Sequence, residues 1–94
     1  MYFLKRTRTF EKSLRKIKKS GARASVLQDT DLVVTLLLKE KILPLSCQDH
    51  QLTGEYAEYR ECHIRGDLLL IYEIKKENAI LILHDIGSHS QLFG

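Results

Sequence analysis

The chain has 94 residues, the size of a single domain, and we treat residues 1–94 as one domain. Hydrophobic residues make up 44% and charged residues 29%, as in ordinary globular proteins, and no apolar run approaches the roughly 18–20 residues of a membrane span. The amino-terminal residues show no secretory signal, so we expect a cytoplasmic protein without membrane association. Cys47 and Cys62 are too few for a disulfide framework, and we expect both to be reduced.

Charge is divided unevenly along the chain. Residues 1–25 contain nine Lys or Arg and one acid, Glu11, which gives +8, whereas residues 26–94 contain six bases and eleven acids, which gives −5. A basic segment of this kind indicates a polyanion or an acidic protein as partner. A solvated basic helix face produces the same pattern, so charge alone does not establish nucleic-acid binding.

A short strand and a first helix are predicted at the start of the chain. Residues Tyr2–Thr9 favour a strand, and Thr9 is a suitable N-cap for the helix that follows. The apolar stripe of this helix has the spacing i, i+4, i+7 and consists of Phe10, Leu14 and Ile17. A lysine-rich last turn followed by Ser20 and Gly21 predicts the end of the helix.

A second helix is predicted from Ala24 to Lys41 and has a broad apolar face. About four residues join it to the first helix, so the two are expected to form an antiparallel hairpin. Pro44 stops the second helix, because the residue before a proline is disfavoured in the helical conformation. Residues 44–55 are polar and contain Pro44 and Gly54, and we interpret them as a long loop that crosses the domain.

Three strands are predicted after this loop. They are Tyr56–Ile64, Leu68–Ile74 and Ala79–Ile86, separated by turns at 66–67 and 77–78. Helices that precede a run of antiparallel strands predict an α+β fold, with a two-helix hairpin packed on one face of a small antiparallel sheet. The other face of that sheet is then free to meet solvent or a ligand.

All four histidines lie in the second half of the chain, at His50, His63, His84 and His89. Strand alternation places Glu61 and His63 on the face opposite Cys62. If Cys62 enters the core, His63 faces outward, where His50 and His89 can converge on it. Each histidine taken alone is more typical of a hydrogen-bonded surface residue than of a catalyst, so the prediction depends on the three meeting.

Such a cluster suits the cleavage of RNA. Imidazole titrates near neutral pH, so one histidine can accept a proton while another donates one. RNA supplies its own nucleophile, the ribose 2′-hydroxyl, and an enzyme must add a base, an acid and cations for the phosphate.

A zinc site is the alternative use of the same residue types, since Cys47, His50, Cys62 and His63 are ligands that zinc prefers. However, Cys62 and His63 are adjacent and point to opposite faces of a strand, which makes shared ligation unfavourable. We therefore predict no metal and no cofactor.

Four short motifs follow one another between residues 49 and 93. They are Asp49-His50-x-Leu52-x-Gly54, Tyr59-Arg60-x-x-His63-x-x-x-Asp67, Leu70-Ile71-Tyr72 and Gly87-Ser88-His89-Ser90-x-Leu92-Phe93. In this order and spacing they make the chain resemble the YafQ branch of the RelE toxin superfamily. The resemblance runs from Phe10 to Phe93 and is strongest from Leu43 onward.

The resemblance implies a toxin of a type II toxin–antitoxin module with a RelE-like fold. Such a toxin is a metal-independent endoribonuclease, an mRNA interferase that cuts mRNA on the translating ribosome. It also implies a cognate antitoxin that neutralises the toxin, in a heterotetramer of two toxins and two antitoxins that contacts operator DNA through the antitoxin. An acidic, partly disordered antitoxin would be attracted to the +8 segment.

Carried over by position, the family's active-site residues are His50, His63, Asp67, His89 and Phe93. By this resemblance His89 is the general acid, while His50 and His63, with Asp67, take the 2′-hydroxyl proton and orient the phosphate. Phe93 stacks on a base of the RNA, which aromatic rings do without strict sequence demand.

Two positions depart from the family pattern. Family members commonly carry an arginine where this chain has Asp85 and an aromatic residue where it has Leu68. Loss of a cation weakens transition-state stabilisation, so we expect Arg60, Arg65 or a basic residue near the amino terminus to contact the RNA in its place. The alternative is that Asp85 holds His89 or His50 in a productive tautomer. The alternative function is a catalytically weak or inactive member of the fold that binds RNA, the ribosome or an antitoxin.

Overall fold

A computed structural model describes all residues from 1 to 94 and contains five strands and three helices. In chain order they are β1 (Phe3–Arg6), α1 (Arg8–Lys19), α2 (Ala24–Leu38), β2 (His50–Gln51), β3 (Arg60–Arg65), β4 (Leu68–Lys75), β5 (Ile80–Gly87) and α3 (His89–Phe93). Three single 3₁₀ turns, at Leu45–Cys47, Gly54–Tyr56 and Lys76–Asn78, lie between the later elements. The predicted crossing loop therefore contains two of these turns and the short strand β2.

Helix α1 is capped by Thr7, so the prediction of Thr9 as its N-cap is wrong. The Thr7 hydroxyl oxygen accepts a hydrogen bond from the Phe10 amide at 3.0 Å and donates one to the His84 carbonyl at 2.8 Å. One side chain thus caps α1 and joins it to β5, an advantage that Thr9, inside the first turn, does not have. The helix ends where the sequence predicts, with Ser20 as C-cap.

Helix α2 ends at Leu38, three residues before the predicted end. Glu40 adopts a left-handed conformation with φ of 59°, and the amides of Glu40 and Lys41 donate to the carbonyls of Leu37 and Leu36. These two bonds form a Schellman motif, which terminates a helix by satisfying its last carbonyls. Local capping therefore ends α2 before Pro44 is reached.

The strands form one sheet in the order β1-β5-β4-β3-β2. β1 pairs with β5 in parallel, and the three other pairs are antiparallel. The α+β prediction, with a helical hairpin on a mostly antiparallel sheet, is confirmed. No helix has the length and apolar character needed to cross a membrane.

The core lies between the helical hairpin and one face of the sheet. Tyr72, Leu70 and Cys62 point into it from the strands and are fully buried, and they meet Phe10 of α1 and Val33 of α2. Because side chains alternate along a strand, their sequence neighbours point to the opposite face. We call that face the outer face; strand register and contacts assign to it His50, Glu61, His63, Leu69, Ile71, Glu73, His84 and Gly87.

Candidate active site

Two of the predicted histidines meet at one buried carboxylate on the outer face. His50 of β2 is the register partner of Glu61 on β3, and its Nε2 lies 3.8 Å from Glu61 Oε1. His63, two residues further along β3, places its own Nε2 3.9 Å from the same oxygen. The Glu61 side chain is only 4% exposed, so its negative charge is directed at the two imidazoles rather than at bulk water.

The His50 ring is oriented by the backbone that precedes it. Its Nδ1 lies 2.6 Å from the carbonyl oxygen of Gln48, a residue in the left-handed conformation. A carbonyl can only accept a hydrogen bond, so in the neutral ring the proton resides on Nδ1 and Nε2 carries the lone pair. Nε2 is therefore the basic atom, and it faces Glu61.

A second network anchors the residue before His50. The Tyr72 hydroxyl donates a hydrogen bond to Asp49 Oδ1, and Arg60 contacts both partners, with Nε 3.2 Å from the Tyr72 oxygen and Nη2 3.3 Å from Asp49 Oδ2. Burial, together with the hydrogen bond to Asp49, raises the pKa of Tyr72, so the phenol stays protonated. This network fixes the start of β2, a strand of only two residues.

His89 is placed by the end of β5 and the start of α3. Ser88 caps α3 by accepting from the Gln91 amide, while the Gln91 side chain accepts from the Ser88 amide at 2.8 Å. The His89 amide then points to Asp67 Oδ1 at 3.4 Å, and its ring Nδ1 lies 3.9 Å from the same oxygen. Asp67 thus lies beside His89, whereas Glu61 is the carboxylate within 4 Å of both His50 and His63.

The two histidine–carboxylate groups lie at the same end of the outer face. His63 pairs with Leu69, and Leu69 pairs with Gly87, so the three residues form a row across β3, β4 and β5. Two strand spacings amount to about 10 Å. His89 follows Gly87 by two residues, so the register places it across β4 from His63 at this end of the face.

A chain of aromatic rings runs from His89 to His84. Ring centroids are 5.6 Å apart for His89 and Phe93, 5.7 Å for Phe93 and Tyr56, 6.5 Å for Tyr56 and Tyr59, and 4.4 Å for Tyr59 and His84. Phe93 and Tyr56 are exposed. Exposed aromatic rings of this kind can stack on RNA bases.

Arg60, Arg65 and Asp85, the three other residues assigned to RNA binding, each make contacts within the chain. Arg60 belongs to the Tyr72 network on the helix side of the sheet, and Arg65 bonds to Asp29 at 3.0 Å and Ser25 at 2.9 Å on α2. Asp85 accepts from Ser13 of α1 at 2.6 Å and holds no histidine, so the tautomer role expected for it is wrong. Contact of these three residues with RNA stays a prediction.

The zinc alternative finds no matching geometry. Cys47 and Cys62 are buried on the helix side, and burial raises the pKa of both thiols, whereas His63 faces the other way. No three His, Cys, Asp or Glu side chains are arranged to hold a metal ion.

A family model described as "Bacterial toxin of type II toxin-antitoxin system, YafQ" matches residues 2–94. The chain belongs to this family. Of its YafQ relatives, the mRNA interferase toxin of Escherichia coli K12 is 30% identical over 79 residues, 83% of this chain and 84% of that protein. A Haemophilus influenzae protein named as a YafQ toxin is 47% identical over 57 residues, and these cover 58% of this chain and 56% of that relative.

Solved structures share the fold over nearly the whole chain. The E. coli DinJ–YafQ complex contains a chain with a TM-score of 0.87 and 25% identity, and the match covers all of both chains. A metal-bound toxin from Helicobacter pylori has a TM-score of 0.86 and 39% identity over 99% of this chain and 100% of that chain. The YafQ fold is thus retained across relatives of low identity.

Several residues of the site were not assigned from the sequence. Alternation placed Glu61 on the same face as His63, but Glu61 was not recognised as the shared partner of two histidines. The bond between His84 Nε2 and Glu73 Oε1, 2.9 Å long, and the stacking of Tyr59 on His84 were also missed. The only sequence signal for these contacts is an acid and a histidine on facing strands.

Proposed function

We propose that this YafQ-family toxin is an endoribonuclease that cleaves mRNA by acid–base catalysis, with the ribose 2′-hydroxyl as nucleophile. The observation that carries the proposal is the pair of histidine–carboxylate groups across the outer face, His50–Glu61–His63 on one side and His89–Asp67 on the other. Ribonucleolytic transesterification requires a base and an acid on opposite sides of one phosphate, and this arrangement supplies both.

His50 is the proposed general base. Its Nε2 has the free lone pair in the neutral ring, and it takes the proton from the 2′-hydroxyl as the 2′-oxygen attacks the adjacent phosphorus. The imidazolium that forms lies 3.8 Å from Glu61, whose carboxylate stabilises the new positive charge. His63, when protonated beside the same carboxylate, can hold a non-bridging phosphate oxygen.

His89 is the proposed general acid. Asp67 lies 3.9 Å from its Nδ1, and the protonated ring gives its proton to the departing 5′-oxygen. The phosphorus–O5′ bond breaks as the O2′–phosphorus bond forms, so the products are a 2′,3′-cyclic phosphate and a free 5′-hydroxyl. Phe93, whose ring centroid is 5.6 Å from that of His89, is placed to stack on a neighbouring base.

The proposed substrate is mRNA on the translating ribosome. The E. coli relative is named an mRNA interferase, which supports this substrate class. The proposed chemistry uses only side chains. Cleavage should therefore persist in a purified translation system when a chelator removes transition metals and leaves the ribosomal magnesium in place. Because a metal-bound H. pylori toxin shares the fold, a loss of cleavage on removal of transition metals alone would argue against metal independence.

The proposed regulator is a cognate antitoxin. The E. coli relative has been crystallised in complex with DinJ, and the +8 charge of residues 1–25 suits an acidic partner. We propose a heterotetramer of two toxins and two antitoxins, which reaches operator DNA through the antitoxin. Light scattering of the co-expressed pair gives its stoichiometry directly.

The proposal is tested by induced expression without an antitoxin, followed by mapping of new mRNA ends. The wild type should arrest growth and produce ends bearing 2′,3′-cyclic phosphate, and His89→Ala or His50→Ala should reduce cleavage by roughly 10²–10⁴-fold while leaving the circular dichroism spectrum unchanged. Ribosome binding without new ends would instead identify a non-catalytic member of the fold. Full toxicity in both variants would contradict the assigned chemistry.

A further inference from the structure

A cavity of about 220 Å³ lies next to the proposed cleavage site and has no part in the acid–base chemistry. Its floor is Ile71 of β4, and its walls come from four other segments, including residues 56–59 before β3 and helix α3. Aromatic or apolar side chains form most of the wall: Tyr56, Tyr59, His84, Leu92 and Phe93. Phe93 also contacts His89, so the cavity opens directly beside the proposed general acid.

The size and chemistry of the cavity suit one flat heterocycle. An engineered apolar cavity of about 150 Å³ accommodates benzene, whereas drug-sized ligands occupy roughly 300–1,000 Å³, so 220 Å³ matches a single base and not a whole nucleotide. Asp85 lies in the wall, and its carboxylate disfavours a phosphate there. A neutral base carrying an amino donor is compatible with the same carboxylate, as carboxylates accept from base amino groups elsewhere.

The walls are held in place before any ligand arrives. Glu73 fixes the His84 ring through the 2.9 Å bond to Nε2, and Tyr59 lies over that ring with centroids 4.4 Å apart. Both backbone groups of Tyr59 are hydrogen-bonded: its amide donates to the Tyr56 carbonyl, and its carbonyl accepts from the Leu52 amide, each at 2.9 Å. A pocket ordered in advance loses little conformational entropy on binding.

We propose that this cavity is a nucleobase subsite, which holds the base of a nucleotide adjoining the cleaved phosphodiester and thereby sets base preference at the cut. The inference rests on the proposed ribonuclease function for its biological meaning, but the binding itself does not require cleavage. Tyr59 and His84 supply the stacking surface, and Phe93 joins the subsite to the reacting phosphate. The phosphates stay outside, near the histidines.

Binding is tested by NMR titration of the purified protein with neutral nucleosides, adenosine and cytidine, and with ribose 5-phosphate as a base-free control. We expect saturable shifts of the Tyr59 and His84 ring resonances with the nucleosides and none with ribose 5-phosphate. Tyr59→Leu should abolish the nucleoside shifts, while Tyr59→Phe, which keeps the ring, should retain them. Absence of shifts at the cavity, or equal shifts with ribose 5-phosphate, would overturn the proposal.

The consequence for cleavage is tested by sequencing mRNA ends. Tyr59→Leu removes one stacking surface for the base, so it should reduce cleavage at the preferred sites by on the order of tenfold and weaken the base preference beside the cut. Tyr59→Phe, which keeps the ring, should change neither. Should Tyr59→Leu not fold, the same comparison is made at the exposed Tyr56, with Tyr56→Leu as the test variant and Tyr56→Phe as its control. Unchanged base preference in a folded, active leucine variant refutes the subsite and leaves the ribonuclease proposal intact. Failure of the wild type to produce new ends refutes the ribonuclease proposal alone, because the nucleoside titration stands separately.

Discussion

Removal of the Tyr72 hydroxyl tests whether the buried network behind His50 stabilises the fold. Tyr72 is fully buried, donates to Asp49 and accepts from Arg60, so Tyr72→Phe deletes one hydrogen bond to a charged acceptor and another from a charged donor. A hydrogen bond to a charged group contributes about 1.5–3 kcal/mol. Asp49 and Arg60 remain paired and partly exposed, so water can replace part of the loss, and we expect destabilisation of about 1–3 kcal/mol.

Urea unfolding measures this loss at neutral pH. A domain of this size should lose about 4–8 °C in Tm per kcal/mol, and the urea midpoint should fall without a change in m. Tyr56→Phe is the matched control, because Tyr56 is exposed and its hydroxyl has no hydrogen bond within the chain. Stability unchanged to within about 0.5 kcal/mol in Tyr72→Phe would refute a stabilising role for the network, since that is the range of ordinary surface substitutions.

The same pair of proteins gives a pH signature. Burial raises the pKa of Tyr72 above its ordinary value near 10, so above pH 10 the unfolded chain releases a proton that the folded chain retains. The contribution of Tyr72 is therefore complete below pH 10 and declines above it by up to about 1.4 kcal/mol per pH unit. The stability difference between wild type and Tyr72→Phe should shrink between pH 10 and 11, and a constant difference would contradict the assignment.

Three further substitutions separate structural from catalytic roles. Glu61→Gln keeps the shape of the buried side chain but removes the charge that faces both His50 and His63. Single-turnover cleavage should slow by roughly 10²-fold with little loss of stability in urea, and an unchanged rate would show that Glu61 has no role in the chemistry. Ser13→Ala removes the 2.6 Å bond to Asp85 and should lower the free energy of unfolding by about 1–2 kcal/mol without changing the cleavage rate. Slower cleavage with normal stability would indicate that Asp85 takes part in catalysis. Gly87→Ala places a Cβ 2.8 Å from Gln91 Oε1 and should disturb the Ser88–Gln91 cap that positions His89. We expect about 1 kcal/mol of destabilisation and a loss of cleavage, whereas normal cleavage would show that α3 tolerates the added methyl group.

Much of the fold follows from local sequence patterns. The stripe of Phe10, Leu14 and Ile17, the turn at Gly66 and the alternation around Cys62 fix the helix, the hairpin and the faces of β3, because each depends on neighbours within a few residues. The start of α1 was predicted wrongly because Thr7 caps it through a side chain that also bonds to His84, 77 residues away. The end of α2 was predicted wrongly because Glu40 adopts a left-handed conformation that residues other than glycine rarely use. The parallel pairing of β1 with β5 has the same long-range origin.

The candidate site likewise combines features that local patterns predict with contacts that depend on distant residues. Strand alternation predicted that His63 faces away from the core, and His50 and His89 were expected to converge on it. Which carboxylate contacts which histidine depends on strand register and on the α3 cap, so the contacts of Glu61 with His50 and His63 and of Asp67 with His89 were not predicted. An arginine on a strand gives no sign of the buried tyrosine opposite it, so the bond between Arg60 and Tyr72 was not predicted.

The assignment of acid and base is the central claim, and a substrate with a better leaving group tests it most directly. A ribosome-bound message with sulfur in place of the bridging 5′-oxygen at the cleaved position needs no proton on departure. On the oxygen substrate we predict that His89→Ala and His50→Ala are each slower than wild type by roughly 10²–10⁴-fold. On the sulfur substrate His89→Ala should recover to within a few-fold of wild type while His50→Ala stays slow; equal behaviour of the two variants would contradict the account.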